Sequence, residues 1–109
     1  MNSFGSYIRE KREGLVADDK SKSLRQVAIT IGVEPAFLSK VERDIVSPPS
    51  EGKIIALAEV LNEDPDLLLA MAGKVSSDLL AIVKARPQLI GEPLRELKEQ
   101  PDHAVLSVV

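Results

Sequence analysis

A stripe of small, polar and basic residues between positions 35 and 43 is the part of this sequence best suited to bind another molecule. Its members lie one or three positions apart, so on an α-helix they share one face, while Leu38 and Val41 fall on the opposite face. Basic side chains pair with phosphates and small ones allow close approach, so a helix with this face fits a DNA major groove. The stripe consists of Pro35, Ala36, Ser39, Lys40 and Arg43.

Side chains for covalent or metal chemistry are scarce. The chain has a single histidine, His103, and no cysteine. It also has no glycine-rich phosphate loop, so we find no nucleophile paired with a base and no set of metal ligands. We interpret the adjacent carboxylates Asp18-Asp19 and Glu63-Asp64 as loop and cap residues. We therefore expect no enzymatic activity, no cofactor and no metal.

The composition predicts an all-α protein. Apolar residues make up 44% of the 109 positions and aromatic residues only 3%, so the core must consist of Leu, Ile, Val and Ala. No run of about 20 apolar residues occurs, and Met1 to Glu10 lacks the basic segment followed by an apolar one that marks a leader peptide. We expect a soluble, cytoplasmic protein with no membrane segment.

Charge is distributed unevenly along the chain. The net charge is −3, but residues 1–43 hold eight basic and six acidic side chains, while residues 44–109 hold six and eleven. This asymmetry predicts that only the N-terminal part faces nucleic-acid phosphate.

Glycine and proline divide the chain into segments of helical period. The first helix is predicted from about Ser3 to Glu13, with Gly14 as its end. Ser23 caps the second helix, which Gly32 stops, and Pro35 starts the third. Asp44 to Pro49 is predicted to be a loop.

Four further helices are predicted after this loop. The fourth opens at Ser50, and its wide apolar face carries Ile54, Ile55, Leu57, Ala58 and Leu61. The tail Ala104 to Val109 is apolar and β-prone, which predicts a strand or a strip packed on a partner. The remaining expected limits are Asn62 for the end of the fourth helix, Pro65 to Gly73 for the fifth, Ser76 to Pro87 for the sixth, and a start between Pro87 and Pro93 and an end at Pro101 for the seventh.

The second and third helices are predicted to form a helix-turn-helix from Leu24 to Arg43. Two helices joined by a turn of three to four residues cross closely. This requires a small residue at the crossing and a turn position without a Cβ. Ala28 and Gly32 supply these two positions. Leu38 and Val41 then meet the apolar face of the second helix.

Six segments of the sequence form a family pattern, namely Ile8 to Arg12, Ser23 to Ala28, Ile31 to Val33, Leu38 to Arg43, Pro49-Ser50, and Ile54 to Leu61 before Asp64. Taken together, they resemble the phage-repressor-like regulators of the Xre family over residues 6 to 73. In that family five helices form the DNA-binding domain. The resemblance implies an all-α fold with a five-helix DNA-binding domain at residues 1–73 and a C-terminal helical segment and tail at residues 74–109.

The resemblance also implies roles for individual residues. Arg12 and Glu42 are expected to form a buried ion pair that ties the first helix to the third. Base-facing positions fall on Pro35, Ala36 and Lys40, and phosphate-gripping positions fall on Ser23, Arg25, Ser39 and Arg43.

The sequence departs from the family pattern at three places. Leu24 stands where many relatives have glutamine, so one amide contact to DNA is missing. Pro35 and Ala36 can contact only thymine methyl groups, which shifts specificity towards Lys40 and DNA shape. The connection from Arg12 to Ser23 is about five residues longer than usual, and its Lys20 and Lys22 could add phosphate contacts that Asp18 and Asp19 would oppose.

Three functions remain open. The first is a repressor that binds double-stranded DNA at a palindromic operator as a homodimer, with the acidic, leucine-rich segment beyond Gly73 as the dimer surface. The second is an antitoxin-type protein that regulates its own promoter and binds a protein partner through its C-terminal segment, for which Val105 to Val109 is the discriminating feature. The third is a helical scaffold without DNA affinity.

Overall fold

The computed structural model describes residues 3 to 100, and within that range every regular element is helical. The all-α fold predicted from the composition is therefore confirmed. The helices are α1 (Phe4–Val16), a 3-10 helix (Lys20–Lys22), α2 (Leu24–Ile31), α3 (Pro35–Glu42), α4 (Glu51–Val60), α5 (Pro65–Met71), α6 (Ser77–Ala85) and α7 (Pro87–Glu99).

The ends of α2 and α3 follow the local signals in the sequence. The Ser23 hydroxyl accepts a hydrogen bond from the Gln26 N–H and so caps α2. Gly32 ends α2 with a φ of 79°, a left-handed conformation that suits a residue without a Cβ. Pro35 is the first residue of α3. The predicted helix-turn-helix is thus confirmed in its bounds.

The first helix differs from its predicted limits, whereas the start of the seventh falls within the predicted range. Gly14 does not end α1, which continues to Val16. A glycine costs a helix interior only about 1 kcal/mol relative to alanine, and Leu15 beyond it packs against the core. α7 starts at Pro87, so Pro93 lies inside it. His103, the predicted end at Pro101, and the tail Ala104 to Val109 lie outside the described residues.

The chain divides into two compact units, one up to Lys74 and one from Val75. In the first unit, α1 packs on α3, α2 packs on α3 and α4, and α4 packs on α5. Ile55 was predicted to join the core, but it is 39% exposed. The buried face of α4 therefore includes fewer apolar residues than the sequence predicted. The core consists of Phe4, Ile8, Val27, Ala28, Ile31, Leu38, Val41, Ile54, Leu57, Ala58, Leu61, Leu68 and Leu69.

The second unit is a hairpin in which α6 and α7 pack on each other. None of its described residues is buried. Its charges balance, because residues 74–109 hold five basic and five acidic side chains. The segment beyond Gly73 is therefore not acidic as expected, and the acidic excess lies between residues 44 and 73. Large apolar side chains that are 41% to 60% exposed in this hairpin are Leu79, Leu80, Ile82, Leu89, Leu94 and Leu97.

In the described range, every helix is too short or too polar to cross a membrane.

Candidate nucleic-acid interface

The stripe predicted on the third helix forms one surface of α3. Ala36, Lys40 and Arg43 are exposed, and Pro35 and Ser39 are half-buried along the same side. The opposite side of the helix is buried in the core. Among the described residues, the Lys40 ammonium has no acidic partner, so its charge is available to a ligand.

Arg43 follows the last residue of α3 and is held against it. Its Nε donates a hydrogen bond to the Ser39 carbonyl oxygen at 3.2 Å. This bond uses one of the five donors of the guanidinium and leaves the others for an anion. Arg43 and Ser39, both predicted to grip phosphates, therefore lie side by side.

The residues predicted to grip phosphate from the second helix lie at its N-terminus. The Ser23 side chain is half-buried and caps the helix, with 3.3 Å between the Gln26 nitrogen and Ser23 Oγ. Arg25, two residues later, is exposed. Ser23 also lines an open groove with Lys20, Ser21 and Gln26. The N-terminal partial charge of α2 makes this edge attractive to anions.

A buried ion pair holds α3 in place, as the resemblance implied. Arg12 Nε lies 2.7 Å from Glu42 Oε2, and its Nη2 lies 3.0 Å from Oε1, a two-point geometry. Arg12 Nη1 also donates to the Lys22 carbonyl oxygen at 3.4 Å. The hydrogen bond to Glu42 raises the pKa of Arg12 above its ordinary value. Both side chains are buried, and the pair joins α1 to α3.

A second contact between α1 and the end of α3 was missed by the sequence analysis, which treated Asp44 only as part of a loop. Asp44 has a φ of 59°, a left-handed conformation that aspartate tolerates better than most residues. Its Oδ2 accepts a hydrogen bond from the Ser3 hydroxyl at 2.6 Å, and its Oδ1 accepts one from the Gly5 N–H at 3.1 Å. Asp44 thus caps the N-terminus of α1 while ending α3.

Two lysines donate hydrogen bonds to carbonyl oxygens at the C-termini of helices. Lys53 Nζ donates to the Ile31 carbonyl oxygen at the end of α2, at 2.9 Å. Lys22 Nζ donates to the Val60 carbonyl oxygen at the end of α4, at 2.7 Å. The carbonyl end of a helix carries partial negative charge and attracts such cations. The Lys22 ammonium is therefore bonded inside the protein, whereas Lys20 is exposed.

Tyr7 connects α1 to the turn between α4 and α5. Its hydroxyl donates a hydrogen bond to Glu63 Oε2 at 2.7 Å. The bond to this carboxylate, with burial and the negative charge, raises the pKa of Tyr7 to about 12. Glu63 also accepts a bond from the Asp64 N–H, so its predicted role as a cap residue is only part of its function.

Comparison with known proteins adds to this geometry. A family model described as helix-turn-helix matches residues 8–68, more than half of the chain, from the first turns of α1 into α5. No curated protein and no solved structure matches the chain. The matched range contains α2, the turn at Gly32, and α3 with its exposed basic face. The chain therefore belongs to the Xre and cro type of helix-turn-helix proteins, a family of phage-repressor-like DNA-binding transcription regulators.

Proposed function

We propose that the protein represses transcription in the cytoplasm by binding a palindromic operator as a homodimer, with α3 in the major groove. The observation that carries this proposal is the exposed face of α3, where Lys40 and Arg43 stand beside the small side chain of Ala36. The buried Arg12 and Glu42 pair supports it, because a recognition helix must be held rigidly to select a sequence.

Contacts to bases come from few groups in this proposal. Pro35 and Ala36 carry no hydrogen-bonding side-chain group, so they touch thymine methyl groups. Lys40 donates to base acceptors, and DNA shape supplies further selectivity. Phosphate contacts fix the orientation of the helix without reading sequence. We assign these phosphate contacts to Ser23, Arg25, Ser39 and Arg43.

The second unit supplies the dimer surface. Its exposed leucine and isoleucine side chains need cover, because a two-helix hairpin buries too little apolar surface to be stable alone. The balanced charges of residues 74–109 favour a second copy, since two neutral surfaces do not repel each other. A dimer would place its two α3 helices about one DNA turn, roughly 34 Å, apart.

Selection of bound fragments from random DNA tests the DNA-reading part of the proposal. We expect an enriched palindrome, and loss of binding by the double variant K40A/R43A with unchanged helix content. The control is K11A, which removes a lysine of the first unit whose ammonium lies 4.0 Å from Glu63 Oε2, and it should bind as the unaltered protein does. If no motif is enriched even at low salt, where phosphate attraction is strongest, the result favours the helical scaffold without DNA affinity. Loss of helix content in K40A/R43A would mean that Lys40 and Arg43 belong to the packed face of α3 and not to its surface.

A promoter that carries the enriched motif tests the direction of regulation. Transcription in vitro should fall as the protein is added, and a rise would show an activator.

A chain that ends at Gly73 tests the dimer surface. We expect it to sediment as a monomer while the full chain sediments as a dimer, and an equal dimer would refute the assignment. Hydrogen exchange at Val105 to Val109 separates the repressor from the antitoxin alternative. Protection in the homodimer favours the repressor, whereas free exchange until another protein binds favours the antitoxin.

A further inference from the structure

A small cleft lies where α1, the start of α2 and the end of α3 meet. Its volume is about 200 Å³, and Arg9, Leu24, Ser39 and Arg43 line it, with the Arg12 and Glu42 pair beside them. Sites for small organic ligands measure roughly 300 to 1,000 Å³. The cleft is smaller than such sites, but two arginine side chains at one opening suit a single phosphate group.

We propose that Arg9 is a further DNA-binding residue, which holds one backbone phosphate in this cleft together with Ser39 and Arg43. The inference rests on the proposed function, which assigns phosphate contacts to those two residues of α3. Arg9 extends that contact to α1, outside the helix-turn-helix itself. Its side chain is about half exposed, so the guanidinium can reach the DNA surface.

The other residues that line the cleft support this assignment. Leu24 lines it between α1 and α3, and a leucine side chain has no hydrogen to donate to a phosphate. Arg9 faces the same space and offers charged donors, which bind phosphate more strongly than neutral groups do. Arg9 thus supplies, from α1, a donor that Leu24 cannot.

Arg9 can change partners at low cost. In the free protein its Nε lies 3.6 Å from Glu13 Oε1, and both side chains are 52% exposed. Exposed pairs of this kind contribute little stability, so exchanging Glu13 for a phosphate costs little. The Glu13 carboxylate also lines the cleft and repels an incoming phosphate. Glu13 therefore weakens DNA binding while it holds Arg9.

The test compares Arg9→Gln with Lys11→Gln, a matched loss of one charge from the same helix. The Lys11 ammonium lies 4.0 Å from Glu63 Oε2, away from the cleft. Affinity for the selected operator is measured at several salt concentrations. Arg9→Gln should weaken binding roughly tenfold per protomer. It should reduce the slope of log K against log salt by about 1.8 for the dimer, because each of the two protomers loses one phosphate contact worth about 0.9. Lys11→Gln should keep the slope, and Glu13→Gln should tighten binding.

The results separate this inference from the proposed function. If R9Q keeps both affinity and slope while K40A/R43A loses binding, the Arg9 assignment is wrong and the DNA-reading surface of α3 stands. If the unaltered protein binds no selected DNA, both proposals fall. The source of the phosphate is checked by exchanging chloride for inorganic phosphate at constant ionic strength. A loss of affinity in the unaltered protein but not in R9Q would show that free phosphate competes with the DNA backbone for the cleft, which supports the contact. An equal loss in both proteins would show that the competing phosphate binds elsewhere, which contradicts it.

Discussion

Replacing Gly5 with alanine should destabilise the first unit, whereas the same change at Gly14, in the same helix, should stabilise it. A Cβ at Gly5 would lie 2.5 Å from Asp44 Oδ1 and 2.8 Å from the Glu42 carbonyl oxygen, and it would come closer still to the Val41 carbonyl oxygen. Two of these three atoms belong to the backbone and cannot rotate away. A Cβ at Gly14 would meet no atom within 4 Å.

The magnitudes follow from two opposing effects. Alanine favours a helix over glycine by about 1 kcal/mol at either position. At Gly14 this gain stands alone. At Gly5 the overlap costs up to about 3 kcal/mol, and moving α1 away breaks the hydrogen bond from the Gly5 N–H to Asp44, which costs about 1 kcal/mol. We expect a net loss of up to about 3 kcal/mol for Gly5→Ala, equivalent to a fall in Tm of roughly 15 °C for a unit of this size.

Urea denaturation of the full chain measures both variants. Tyr7 is the only tyrosine and the chain has no tryptophan, so tyrosine fluorescence reports unfolding of the first unit without a signal from the hairpin. The midpoint should fall for Gly5→Ala and rise for Gly14→Ala. A Gly5→Ala variant within about 0.5 kcal/mol of the unaltered protein, the usual range for neutral surface changes, would refute the close approach of α1 to the end of α3.

Three further perturbations follow from the buried contacts. Glu42→Ala should lower the free energy of unfolding by about 3 kcal/mol, because it leaves the Arg12 charge buried without a partner, while R12M/E42L should recover most of the loss; equal stability of all three proteins would contradict a buried pair. Absorbance titration should show Tyr7 ionising near pH 12, and Glu63→Gln should bring this pKa down towards 10. Since folding raises the Tyr7 pKa, the stability from this bond is present below pH 10 and is lost as the pH rises towards 12; an unshifted titration would show that the bond is absent. Lys22→Met should lower the Tm by removing the cation at the C-terminus of α4, and it should leave the salt dependence of DNA binding unchanged; a smaller salt slope would make Lys22 a phosphate contact.

Helix bounds near the proposed DNA surface were predictable because their causes are local. The hydroxyl of Ser23 bonds to an N–H three residues away, Gly32 adopts a left-handed conformation, and Pro35 has its φ already fixed. The predicted end of α1 at Gly14 was wrong because its cause is not local. A glycine there could end a helix or lie within one, and the packing of Leu15 on the core decides between them.

The partners of charged side chains could not be predicted in this way. Lys22 looked like a phosphate contact on an exposed loop, but its ammonium bonds to a carbonyl 38 positions away. Asp44 looked like a loop residue, but it caps a helix about 40 positions earlier. The ion pair of Arg12 with Glu42 was anticipated only through resemblance to a family.

The sequence by itself determined the helices, the helix-turn-helix and the stripe on α3, because hydrogen bonds and apolar periodicity within a few residues produce them. Only the tertiary structure decided which basic residues remain available to DNA. Packing of α1 against α3 places Arg9 beside Ser39 and Arg43, and a hydrogen bond to the Val60 carbonyl oxygen engages Lys22 at the end of α4. The reason is physical: a charge binds whatever opposite charge the folded chain brings within a few ångströms, and that distance depends on how the helices pack.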